Sequence, residues 1–329
     1  MPGAGKKLAL LGVAVLCVYM SGYGTEKASG KEVSVERQEA VSNIVETSPL
    51  KEPAALFTHA PGSASGEKAE NCFAPSQAEK VSAMTIDGAG ILKNETNYPV
   101  DADAVVRGGT SVRLAQEGPQ ILIIHTHSSE AYTPAGLDRY ESSDNTRTED
   151  LEYNIIRVGD ELARLFEQAG LSVIHDRGVY DYPSYTGSYG RSGAMVEQYL
   201  RDNPSISVVL DVHRDALASD GIIYKTVAEE DGTCASQVML LVGTDESGLE
   251  HPRWRENLSL ALYLQRSIFQ TYPTLMRPVA LVPQRYNQQL CPGMLILEVG
   301  SSGNTLQEAL AAIRLFAASA APAFLALVE

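Results

Sequence analysis

Two short apolar runs, each ending abruptly in histidine and carboxylate, constrain this chain more than any other feature. Ile121-Leu122-Ile123-Ile124 leads directly into His125-Thr126-His127-Ser128-Ser129-Glu130. Ile206-Ser207-Val208-Val209-Leu210 leads directly into Asp211-Val212-His213-Arg214-Asp215. Runs of this length and β-branched content read as buried strands. Segments with helical spacing lie between and after them. In Asn154–Ala169, Ile155, Val158, Leu162, Leu165, Phe166 and Ala169 share a face, and Gly170 is placed to stop the helix. Further strands are expected at Leu171–Ile174, Val238–Val242 and Met294–Val299. Helices are expected at Ser188–Arg201 and Trp254–Tyr272, with Asn304 and Gln307 forming a capping box for a last one. Strands alternating with helices predict an α/β fold with a mostly parallel sheet and helices on both faces.

The domain organisation follows from shifts in composition. Lys6 and Lys7 precede an apolar run from Leu8 to Met20. This predicts a signal anchor over residues 1–24, with the lysines held inside and a cleaved signal peptide as the alternative. Residues 25–85 are rich in Glu, Lys, Ser, Ala and Pro with aperiodic apolar positions, and read as a disordered spacer. Residues 86–118 form a lead-in segment, with a turn or short hairpin at Asn94–Pro99. Residues 119–329 are then the catalytic domain. The net charge of −15 argues against a nucleic-acid partner, because phosphate binding relies on basic surface. Four cysteines without a C-x-x-C pair argue against a thiolate zinc knuckle. Cys234 and Cys291 could pair in an oxidising compartment; two free buried thiols are the simpler expectation.

The chemistry is expected where the strands end, since open α/β sheets assemble their sites at the carboxyl edge. His127, Glu130 and His213 can supply three ligands to a zinc ion with one position left open. His125 competes with His127, because residues two apart on a strand point the same way. Glu149, Asp150 and Glu152 precede the first long helix and are a second source of a carboxylate ligand. Glu298 is a lone carboxylate in the apolar strand Leu295-Ile296-Leu297-Glu298-Val299. Burying it is costly without a partner or a role, so it is the candidate proton shuttle; a bland alternative pairs it with Arg214. Arg214 could itself steady an oxyanion or dock a substrate carboxylate, and Asp211 or Asp215 could orient a ligand histidine. Tyr182, Tyr185 and Tyr189 form an aromatic stretch suited to lining a groove. His175 and His251 read as structural or exposed rather than as ligands.

The segments Leu92-Lys93-Asn94-Glu95-Thr96, His125 through Tyr132, Tyr153 through Gly159, Asp211 through Asp215 and Leu297-Glu298-Val299-Gly300 resemble the stage II sporulation protein P family of endospore-forming bacteria. The likeness runs from about Ile91 to the C-terminus. It implies a catalytic domain similar to the zinc N-acetylmuramoyl-L-alanine amidases, with endopeptidase activity also attributed to the family. It further implies Zn2+ as cofactor, and peptidoglycan as substrate in septal wall remodelling. A single membrane pass with the catalytic domain outside the cytoplasm is also implied, as are stage II sporulation proteins D and M as partners. His213 and Glu298 carry over directly. The related amidases take their glutamate ligand from just before a helix, which points near Glu152, whereas His127-x-x-Glu130 resembles zinc carboxypeptidases. A zinc carboxypeptidase acting on stem peptides and a non-catalytic wall-binding scaffold are the rival functions.

Overall fold

The computed structural model describes residues 81–134, 146–230 and 232–329, all of them within the compact unit Lys68–Glu329. The expected anchor, and all of the expected spacer before Val81, lie outside the described residues.

The strands are β1 (Val81–Met84), β2 (Leu92–Asn94), β3 (Ile121–Ile124), β4 (Val173–His175), β5 (Val208–Asp215), β6 (Ala218–Ser219), β7 (Ile222–Thr226), β8 (Ala228–Glu230), β9 (Thr233–Ala235), β10 (Val238–Gly243), β11 (Val279–Val282) and β12 (Gly293–Ser301). The helices are α1 (Ala102–Gly108), α2 (Ile155–Gln168), α3 (Ser188–Asp202), α4 (Trp254–Thr271) and α5 (Leu306–Leu325). The main sheet has seven strands in the order β2-β11-β10-β12-β5-β3-β4. The remainder is a three-stranded sheet, β1-β7-β6, and the β8–β9 hairpin.

The expectation of a mostly parallel sheet needs correcting, because the sheet is mixed. β10 runs antiparallel to β12, joining the parallel block β2-β11-β10 to the parallel block β12-β5-β3-β4. Strand periodicity is blind to this, since both kinds of ladder alternate side chains with a period of two.

The two faces of the sheet are covered unequally. Ile121, Ile123, Val208, Leu210, Val212, Leu295 and Leu297 belong to the large core that α2, α4 and α5 close. Leu122, Ile124, Val209 and Met294 point the other way and meet Val196 of α3. α2 illustrates the cause. Ile155, Val158, Leu162 and Phe166 are fully buried, each worth about 1.5–3 kcal/mol. Asn154 caps the helix by accepting from the Ile156 amide at 2.9 Å, and Gly170, at φ 99°, ends it.

Among the described residues, α5 alone is long and apolar enough to cross a membrane, but it packs as a core helix, burying Leu306, Ile313, Phe316 and Phe324. Its cap differs from the expected one. Thr305 accepts from the Glu308 amide at 3.2 Å, while Glu308 accepts from the Thr305 amide at 2.9 Å. Asn304 is occupied elsewhere: its Oδ1 accepts from Ser301 and Thr226, and its Nδ2 donates to Thr226. Cys291 is a free, buried thiol, so the pairing with Cys234 does not occur; Cys234 is disulfide-bonded to another residue.

Candidate active site

Alternation along the strands decides which face carries the chemistry. On β5, Asp211 and His213 follow Val209 onto the thinly covered α3 face. On β12, Glu298 follows Met294 and Ile296 onto the same face. β5 and β12 are parallel neighbours, and their register sets Glu298 directly beside His213. Gly300, at φ 67°, allows the strand to bulge immediately afterwards.

The loop after β3 is held over this edge by buried carboxylates. Asp211 accepts from the Thr126 amide at 2.8 Å and its hydroxyl at 2.7 Å. Asp181 accepts from the Ser128 hydroxyl, from the Ser129 amide and hydroxyl, and from Arg147 Nη1 at 2.6 Å. The loop thereby brings His127 and Glu130 to His213. The His127 and His213 rings meet edge-on with centroids 5.3 Å apart. His213 Nδ1 lies 3.3 Å from Glu130 Oε2. Its Nε2 lies 3.0 Å from Asp211 Oδ1, but without hydrogen-bond alignment. Tyr185 stacks on His127 at 4.5 Å, and Tyr189 approaches it edge-on at 5.4 Å.

Burial and neighbouring charge act differently on each of these groups. Burial lowers the pKa of His127 to about 4, leaving a neutral imidazole suited to ligation. Burial also works against charge on His213, but Asp211 and then Glu130 outweigh it and hold its proton well above the usual histidine range. Burial would raise the Glu130 carboxyl, yet Arg214 and His213 pull it well below the usual carboxylate range. Burial and the neighbouring Asp215 push the Glu298 carboxyl up to about 8. Its Oε2 has no hydrogen-bond partner among the described residues. The bland alternative for Glu298 does not occur, because Arg214 is committed elsewhere. Arg214 Nε donates to the Ala131 carbonyl at 2.9 Å and Nη2 to the Thr146 carbonyl at 3.1 Å. Its amide donates to Glu130 Oε2 at 3.1 Å.

The other expected residues are placed as follows. His125 is fully buried but turns to the opposite face, against α2, and does not join His127 and His213. Glu152 is exposed on the turn before α2. Asp215 pairs with Arg277 at 2.8 Å. Asp181, Arg147 and Arg277 are supports that sequence reasoning missed. Each lies in a loop, where no periodicity marks it.

Zinc legs of about 2.0–2.2 Å at a tetrahedral angle set neighbouring donors about 3.3–3.6 Å apart. The 3.3 Å between His213 Nδ1 and Glu130 Oε2 matches that spacing. Among the described residues, no three His, Cys, Asp or Glu side chains already close into a metal cage. The donor types suit zinc, and Asp211 lies 3.0 Å from His213 Nε2, where a carboxylate behind a ligand histidine would stand.

A model of the stage II sporulation protein P family matches residues 25–321. The chain belongs to this family. Stage II sporulation protein P of Bacillus subtilis (strain 168) is 27% identical over 203 residues, 57% of this chain and 47% of that relative. The match therefore spans about half the length of the relative. Among solved structures, the N-acetylmuramoyl-L-alanine amidase AmiC2 of Nostoc punctiforme aligns at a TM-score of 0.35 and 16% identity, covering 64% of this chain and 97% of its own. The CwlD amidase of Clostridioides difficile, in complex with the GerS lipoprotein, aligns at 0.36 and 13%, covering 63% and 98%. Family membership rests on the sequence match alone.

Proposed function

We propose that this chain is a zinc-dependent peptidoglycan hydrolase that cleaves the amide between the muramic acid lactyl group and L-alanine during sporulation. Endopeptidase action on cross-links is a second activity of the same site. The observation that carries this reading is Glu298, a buried carboxylate with a free oxygen, seated beside His213 and facing the cluster of His127 and Glu130.

In this reading His127, Glu130 and His213 hold the metal, and Asp211 orients His213. Zinc bound there supplies Lewis acidity toward the scissile carbonyl and the attacking water. Glu298 takes the proton from that water and delivers it to the departing amine nitrogen. A carboxyl poised near the working pH suits both transfers. Arg214 acts by fixing Glu130 and the flanking loops rather than by touching the oxyanion. This also counts against the carboxypeptidase alternative, whose nominee for docking a terminal carboxylate was Arg214. The anchor at residues 1–24 would hold the catalytic domain on the extracytoplasmic side, and stage II sporulation proteins D and M are its proposed partners.

The test is to incubate the chain with purified peptidoglycan, with and without a chelator, and identify products by mass spectrometry. Free stem peptides bearing N-terminal L-alanine, lost on chelation and restored by zinc, are expected. Peptidoglycan that is bound but uncut in the presence of zinc would support the scaffold reading instead.

A further inference from the structure

Behind the site a polar chain that the proposed reaction does not use runs from the buried His125 out to the surface. His125 Nδ1 donates to the Val212 carbonyl at 2.9 Å, and its Nε2 lies 2.9 Å from His175 Nε2. His175 Nδ1 lies 3.2 Å from Asp160 Oδ1, and Arg177 closes the outer end at 3.4 Å from Asp160 Oδ2. A carbonyl can only accept, so the His125 proton sits on Nδ1. His125 Nε2 is then the acceptor and His175 Nε2 the donor, and the contact to Asp160 is a hydrogen bond when His175 carries a proton on Nδ1 as well. The chain ends on a backbone carbonyl and so offers no proton path into the site.

Its position is informative. Val212 is bonded to His213, and His125 stands two residues before His127. One imidazole thus grips both segments that deliver the proposed ligand histidines. α2 makes room for it. A Cβ on Gly159 would lie 2.4 Å from His125 Nε2 and 2.6 Å from His175 Nε2. Glycine inside a helix costs roughly 0.5–1 kcal/mol relative to alanine, and here the space it leaves is filled by two imidazoles.

We propose that His125, His175 and Asp160 are positioning residues that set the separation of His127 and His213, and with it the affinity for zinc. The inference rests on the ligand reading above.

The experiment measures zinc affinity of the full chain by competition with a chromophoric chelator, the absorption spectrum of the cobalt-substituted protein, and the thermal midpoint of the metal-free protein. His175→Leu should leave the metal-free midpoint nearly unchanged, weaken zinc binding about 10–100-fold, as outer supports of metal ligands do, and alter the cobalt spectrum. His175→Gln, whose amide can still donate to His125, should recover most of the affinity. Asp160→Asn, near the surface, gives a milder loss in the same direction and serves if His175→Leu does not fold. Wild-type zinc binding matched by the variants overturns the positioning role alone. A wild-type chain that binds no zinc overturns the ligand reading and this inference with it.

Discussion

At the residue scale, the environment of each histidine separates roles that the bare sequence leaves equal. His127 and His213 face one another over Glu130, while His125 faces α2. His127→Ala and His213→Ala should each lose zinc by more than the about 10–100-fold expected of an outer partner, as read by metal analysis of the purified chain. His125→Ala should stay within that range. Full retention in His127→Ala with loss in His125→Ala would reverse the assignment. Glu298→Gln is nearly isosteric and should keep the metal, while its hydrolysis falls about 10²–10⁴-fold. Release of wall fragments at the wild-type rate would make Glu298 structural, and loss of the metal would make it a ligand.

At the element scale, α2 and α5 are joined by a carboxylate shared between two arginines. Glu161 accepts from Arg164 Nη2 at 2.9 Å and from Arg314 Nε at 2.7 Å. Hydrogen bonding to Arg164, then Arg314, outweighs burial and lowers the Glu161 pKa from its usual 4.5 to about 2. The folded pKa is the lower one, so the unfolded chain binds more protons between these values. The stabilisation is therefore complete above about pH 4.5 and is lost as pH falls toward 2. Glu161→Gln should lower stability at neutral pH by about 1–2 kcal/mol, as for a hydrogen bond to a charged group with partly solvated partners. Urea midpoints across pH test this. The gap between variant and wild type should close near pH 2, and a constant gap at all pH values would refute the ion-pair origin.

At the scale of the whole molecule, metal and fold should be linked. If zinc binds only the folded chain, a concentration of 100 Kd stabilises it by about 2.7 kcal/mol. For a domain of this size that is an upward shift on the order of 5–10 °C in the thermal midpoint. Scanning calorimetry with zinc and with chelator checks it, and coincident midpoints would argue against a site built by the fold. Lys6 and Lys7 before the apolar run predict that protease added to intact protoplasts digests the catalytic domain. Protection in intact cells, followed by digestion after lysis, would reverse the topology.

The strands and helices that build the site were legible because burial imposes a period. Ile121–Ile124 and the α2 stripe appear where expected, and Asp211 and His213 share a face because strand side chains alternate. Glu298 was legible because a carboxylate in an apolar strand breaks that pattern. The antiparallel β10–β12 ladder was not legible, since strand direction leaves no trace in local sequence. The short strand β11 depends on partners distant in the chain, and the cap falls to Thr305 because Asn304 is held by the distant Thr226. The choice of His127 over His125 was likewise tertiary: strand alternation stops at Ile124, and the turn that follows is set by Asp181 and Asp211, which lie far along the chain. Local sequence thus determined which side chains could do the chemistry. Long-range hydrogen bonds to buried carboxylates decided which of them face each other.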